Sequence, residues 1–214
     1  MDAAWQLLDP HNLAGTTEAF AVAVQAIVQR YGQAAAAAAL DFYRQQRLAA
    51  GVTGRGPSLT VAKPPTLDTV TANVRYGVSG LYGPVDAPAI QDAQTKVSES
   101  AVRLVLDQGR NTIMDAAVKD PAAKGWARVT EPGACAFCTM LALRAGAGML
   151  YRTKESGGFK AHDNCRCSVE PVFTAHEPSY RMREMQALWA SSTKGQPDPL
   201  NAFRRALAAR PQDV

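Results

Sequence analysis

The chain has 214 residues, 47% hydrophobic and 20% charged, with a formal net charge of +4. Such a composition excludes wholesale disorder, and no run reaches the ~18–20 apolar residues of a membrane span. The opening MDAAWQLLDPHN lacks the basic-then-apolar order of a secretory signal. It predicts a soluble protein made in a reducing cytosol, where stable disulfides are uncommon.

Residues 1–15 read as an irregular lead-in, broken by Asp9-Pro10 and Gly15. Thr16 or Thr17 is then expected to cap a long helix, with Glu18 near its positive end. Phe20, Val24, Ile27, Tyr31, Ala35, Ala38 and Phe42 recur at spacings of three and four, which predicts one apolar helix face ending near Gly51. The run Ala34–Ala39 offers high helix propensity and little bulk, which suits close packing against another helix.

GVTGRGPSLTVAKPP, residues 51–65, is a loop by its glycines and prolines, and 66–85 shows no regular pattern. Asp86 predicts a cap for a second long helix, with Pro88 in its first turn and Pro121 setting its limit. Ile90, Ala93, Val97, Ala101, Leu104, Val105 and Ile113 are its apolar positions.

The texture then changes. Strands are predicted at 126–130, 149–153 and 165–173, a turn at Glu131-Pro132-Gly133, and a short helix at 138–144. Helices are predicted again from Pro178, with Tyr180, Met185, Leu188 and Trp189 as its larger apolar residues, and from Leu200 to Ala209. The expected fold is mainly α with long N-terminal helices and a small α+β C-terminal module. It divides into a helical region 1–85, a module 86–175 and a helical basic tail 176–214.

All four cysteines fall in that module, as C-x2-C (Cys135, Cys138), 23 residues, then H-x2-C-x-C (His162, Cys165, Cys167). A C-x2-C knuckle places two thiolates at the separation a tetrahedral zinc requires. Cys165 and Cys167, two apart on a strand, would leave one face together while Arg166 leaves the other. The five candidates permit four thiolates, or three thiolates with the imidazole. Disulfide pairing between the clusters and inert buried thiols are the other readings of the same spacing.

The segments GACAFCTMLALRAG and AHDNCRCSVEPVF resemble the C-terminal signature of the Mu F-like minor head proteins of tailed bacteriophages, the actinobacteriophage versions being most similar. The resemblance covers roughly residues 95–175, and His162, Cys165, Arg166 and Cys167 are its most specific part. It implies a non-enzymatic head-morphogenesis protein, present in several copies inside the capsid and assembled in the host cytoplasm. Its implied partners are the portal or the major capsid protein and packaged DNA, with no membrane. It also implies the plain structural version of the family, since a toxin or protease domain would need a longer chain.

Enzyme readings fit less well. A zinc deaminase needs His-x-Glu ahead of Pro-Cys-x2-Cys, and here both the order and the base differ. A thiol nucleophile using Cys165 and His162 would not explain four clustered thiols. An HNH-like metal-dependent nuclease is the alternative function, matched by His162 and Asn164, with His176 the nearest second histidine. Arg152, Lys154, Lys160, Arg204, Arg205 and Arg210 are the cations that could meet DNA, though a solvated surface accounts for them more simply. Trp126 is expected in the core, and Arg166 is expected to pair with a carboxylate or carbonyl.

Overall fold

A computed structural model describes residues 1–131, 133–144, 150–153, 159, 161–165, 167–175 and 178–210. The helices are α1 (Asp2–Trp5), α2 (Leu13–Ala49), α3 (Leu67–Gly77), α4 (Ala87–Lys119), α5 (Ala136–Arg144), α6 (Tyr180–Thr193) and α7 (Pro199–Ala208). One 3-10 turn (Ser79–Tyr82) follows α3, and two strands, β1 (Gly125–Val129) and β2 (Ser168–Val172), pair antiparallel. The expected fold class holds: mainly helical, with a small α+β part near the C-terminus. No helix among the described residues is long and apolar enough to cross a membrane.

The residues form two compact units. The first comprises Met1–Phe42, Leu59–Thr112 and Ala161–Asn164. Its core joins Leu8, Phe20, Val24 and Val28 to Val70, Val74, Val78, Val97 and Leu104. Three expectations need correction here. The lead-in holds α1, and α2 begins at Leu13, because Asn12 Oδ1 accepts from Gly15 N at 3.1 Å. Thr16 and Thr17 instead turn their hydroxyls back to the carbonyls of Asn12 and Leu13, both at 2.7 Å, as hydroxyls inside a helix do. The buried face of α2 runs through Val24, Val28, Ala36 and Leu40, which leaves Tyr31 58% exposed.

The patternless stretch 66–85 holds α3, capped by Thr66 Oγ1 accepting from Thr69 N at 3.3 Å. Asp86 caps α4 as expected, accepting from Ala89 N at 2.9 Å. The small residues of α2 meet α4 closely: a Cβ on Gly109 would lie 3.3 Å from the Ala35 carbonyl and 3.6 Å from Ala39 Cβ. Part of the Ala34–Ala39 face is therefore used within the chain.

The second unit comprises Tyr43–Ser58, Ile113–Lys160 and Cys165–Val214. Trp126 is fully buried in it, with Val169, Phe173, Met185 and Phe203. Trp126 exchanges both backbone hydrogen bonds with Tyr151, at 2.9 and 2.8 Å, and their rings stack with centroids 4.4 Å apart. The strand expected at 149–153 is thus a single bridge at Tyr151; Met149 lies outside the described residues. Because Trp126 turns its N–H and C=O toward Tyr151, its opposite partner on β2 needs no amide hydrogen, and that partner is Pro171. Gly125 has φ +148, and a Cβ there would come 2.4 Å from the Tyr151 carbonyl oxygen.

The strand expected at 165–173 is shorter, Ser168–Val172, so Cys165 and Cys167 precede it. Ala134 N donates to the Glu131 carbonyl at 3.1 Å, closing the expected turn, of which Pro132 lies outside the described residues.

Candidate metal centre

The site is built on the start of α5. Cys135 stands just before this helix, and its Sγ accepts from Cys138 N at 3.4 Å, as a capping side chain does. Its carbonyl accepts from Thr139 N at 3.0 Å and from Thr139 Oγ1 at 3.1 Å. The knuckle therefore presents two sulfurs at a helix N-terminus, where partial positive charge favours thiolates.

Cys138 is 1% exposed, Cys165 5% and Cys167 4%. The sulfurs of these three lie within 4.8 Å of one another, and those of Cys135 and Cys138 are equally close. Cys138 Sγ is 3.6 Å from Cys165 Sγ, and all four cysteines are free thiols. Tetrahedral zinc with Zn–S near 2.3 Å sets its sulfurs about 3.8 Å apart, whereas a disulfide requires ~2.05 Å. The spacing fits an ion's coordination edge. The backbone just before β2 brings Cys165 and Cys167 to Cys138 without the regular strand the sequence suggested.

The neighbouring thiols of Cys165 and Cys167, with burial added, push the Cys138 thiol far above its ordinary range. Crowded sulfurs hold their protons until a cation replaces them. Cys167 is also raised: its hydrogen bond with Cys138 pulls it down, but Cys165 and burial outweigh that.

His162 belongs to the segment Ala161–Asn164 of the first unit and is exposed. Its Nδ1 lies 2.6 Å from the Asp163 carbonyl oxygen. A carbonyl only accepts, so in the neutral ring Nδ1 carries the hydrogen and Nε2 keeps the lone pair a metal binds. Arg103 holds this segment, donating to Asp163 Oδ1 at 2.7 Å and to Asn73 Oδ1 at 2.5 Å. Asn164 follows at φ 63, a left-handed turn that asparagine tolerates. Arg166, Lys154, Lys160 and His176 lie outside the described residues.

No local pattern marks Arg128 as part of the site. This β1 residue is 5% exposed, its NH1 is 3.6 Å from Cys138 Sγ, and its guanidinium carbon is 3.7 Å from the Phe159 ring centroid.

Fold and site together define a mainly helical protein with a thiol-rich candidate metal centre in its α+β part. The chain belongs to the VG15 protein family, whose sequence pattern matches residues 1–192. The Gene 15 protein of Mycobacterium phage D29 is 44% identical over 77 residues, 34% of this chain and 26% of that protein's length. The chain is accordingly placed among bacteriophage proteins. No solved structure matches it.

Proposed function

We propose that this protein is a minor head protein of a tailed bacteriophage, of Mu F-like type, that acts without catalysis inside the capsid. Its thiol cluster holds one structural zinc, and its helical unit docks on the portal or the major capsid protein in several copies per head. The observation that carries this reading is the meeting of Cys138, Cys165 and Cys167 sulfurs within 4.8 Å. Those cysteines belong to the two segments on which the Mu F-like resemblance rests, and kinship with a phage protein supports the same role. Val22 and Tyr31 on α2, Val102 and Leu106 on α4, and Tyr76 and Tyr82 are exposed apolar groups of the helical unit that a head partner would cover. Arg204 and Arg205 on α7 are exposed and available to packaged DNA, a contact that would weaken with salt.

Purified particles test the role. The protein should remain with tail-free, DNA-filled heads and resist added protease until the heads are opened. Its absence from particles would remove the reading. Plasmid cleavage with magnesium or manganese that disappears on His162→Ala would replace it with the nuclease alternative.

A further inference from the structure

We infer that Arg128 is a positioning residue of the metal centre, a fixed cation that balances thiolate charge by donating to Cys138 Sγ; this rests on the metal reading above. Four thiolates around a divalent ion carry a net charge of about −2, and three with an imidazole about −1. Such a charge is costly in a buried site unless a cation stands beside it. Arg128 supplies one: it is nearly inaccessible, it carries the guanidinium cation, and its NH1 is 3.6 Å from the Cys138 sulfur, which lies close to that of Cys135 and to those of Cys165 and Cys167. A neutral thiol accepts poorly from a guanidinium, whereas a thiolate makes a strong charge-assisted bond.

Two features hold the cation in place. β1 pairs Arg128 with Val169, on the strand that directly follows Cys165 and Cys167. The Phe159 ring, 3.7 Å away, provides a cation–π seat. Arg128 therefore does not bind the ion. It raises the affinity of the thiolates that do, as hydrogen-bonded outer partners of metal ligands do elsewhere.

The full chain and its Arg128→Met, Arg128→Lys and Phe159→Leu variants should be compared for zinc affinity by chelator competition. Their cobalt complexes should be compared by absorption. Arg128→Met should weaken zinc roughly 10–100-fold and keep the cobalt–thiolate bands, because the ligands are unchanged. Arg128→Lys should recover part of the loss, retaining charge without the fork. Phe159→Leu should weaken zinc less than Arg128→Met does. If Arg128→Met does not fold, the lysine and leucine variants carry the comparison. Equal zinc affinity in the wild type and every folded variant would overturn this role and leave the metal reading intact. A wild type that takes up neither zinc nor cobalt would overturn the metal reading itself.

Discussion

Arg47 Nε donates to Asp120 Oδ2 at 2.9 Å in the second unit, with 14% of the arginine side chain and 1% of the aspartate side chain exposed. Asp120 also accepts from Tyr43 OH at 3.2 Å and from Ala122 N at 3.0 Å, and Arg47 NH1 reaches the carbonyls of Val52 and Gly54. One carboxylate thus fastens α2, the chain beyond it and the end of α4. Removing one partner of such a pair strands the other charge in a poorly solvated place. Asp120→Ala should cost about 3–5 kcal/mol, and a paired replacement, Arg47→Met with Asp120→Leu, should cost much less. Urea unfolding of the three proteins checks this, and a single-variant cost below ~1 kcal/mol would refute the buried-pair account.

The same cluster sets an alkaline limit. Burial, and then the adjacent Asp120 charge, raises the Tyr43 phenol well above its ordinary value. A raised pKa means that the folded state holds its proton longer than the unfolded chain does. The contribution is fully present below the usual tyrosine value of about 10 and is lost as pH rises above it. Urea midpoints measured from pH 8 to 11 should fall at the alkaline end, and Tyr43→Phe should flatten part of that fall. An unchanged alkaline slope in the variant would assign the effect to other groups.

A second close packing lies in the first unit. A Cβ on Gly32 would sit 1.6 Å from Gln108 Nε2, which donates to the Val28 carbonyl at 3.2 Å. Gln108 Oε1 is buried without a hydrogen-bond partner among the described residues. Gly32→Ala should therefore displace the amide and cost about 1–3 kcal/mol. In a Gln108→Ala background the obstacle is gone, and the same change should stabilise by roughly 0.5–1 kcal/mol through helix propensity. The sign reversal is the test. Additive costs in the double variant would show that the two positions do not meet.

These relationships explain what the sequence could and could not disclose. The long helices, β1 and the α5 knuckle were legible because periodicity, Asp86 and the C-x2-C spacing are local signals. The face of α2 was legible at Phe20 and Val24 and shifts by about one position beyond them, to Val28, Ala36 and Leu40, where the alanines at 34–39 supply no bulk to distinguish inside from outside. Arg47 and Asp120 lie 73 residues apart, and no local pattern joins them. Arg128 was missed for a related reason. Gly125–Arg128 are buried without alternation, so a charged residue in a short strand reads as its solvent side. The cysteines were legible as a group; which of them converge depends on the irregular backbone before β2.

The number of thiolates at the site can be counted from protons. Cys138 and Cys167 both have raised pKa values in the metal-free site, so each must give up a proton when an ion binds. Below the thiol range, apparent zinc affinity should fall steeply as pH is lowered, since each thiolate ligand displaces about one proton. A four-cysteine site should give a slope of about four in log K against pH; three cysteines with a neutral His162 should give about three. Variants separate the same alternatives. Cys138→Ser should abolish binding in either case, because its sulfur lies close to that of Cys135 and to those of Cys165 and Cys167. His162→Ala should leave affinity nearly unchanged in the four-thiolate site and weaken it sharply in the other. One zinc per chain by elemental analysis, with a large loss of thermal stability on chelation, is the expected baseline. A folded chain that carries no zinc, stays equally stable with chelator and has four freely titrating thiols would leave the cluster as a packed thiol core.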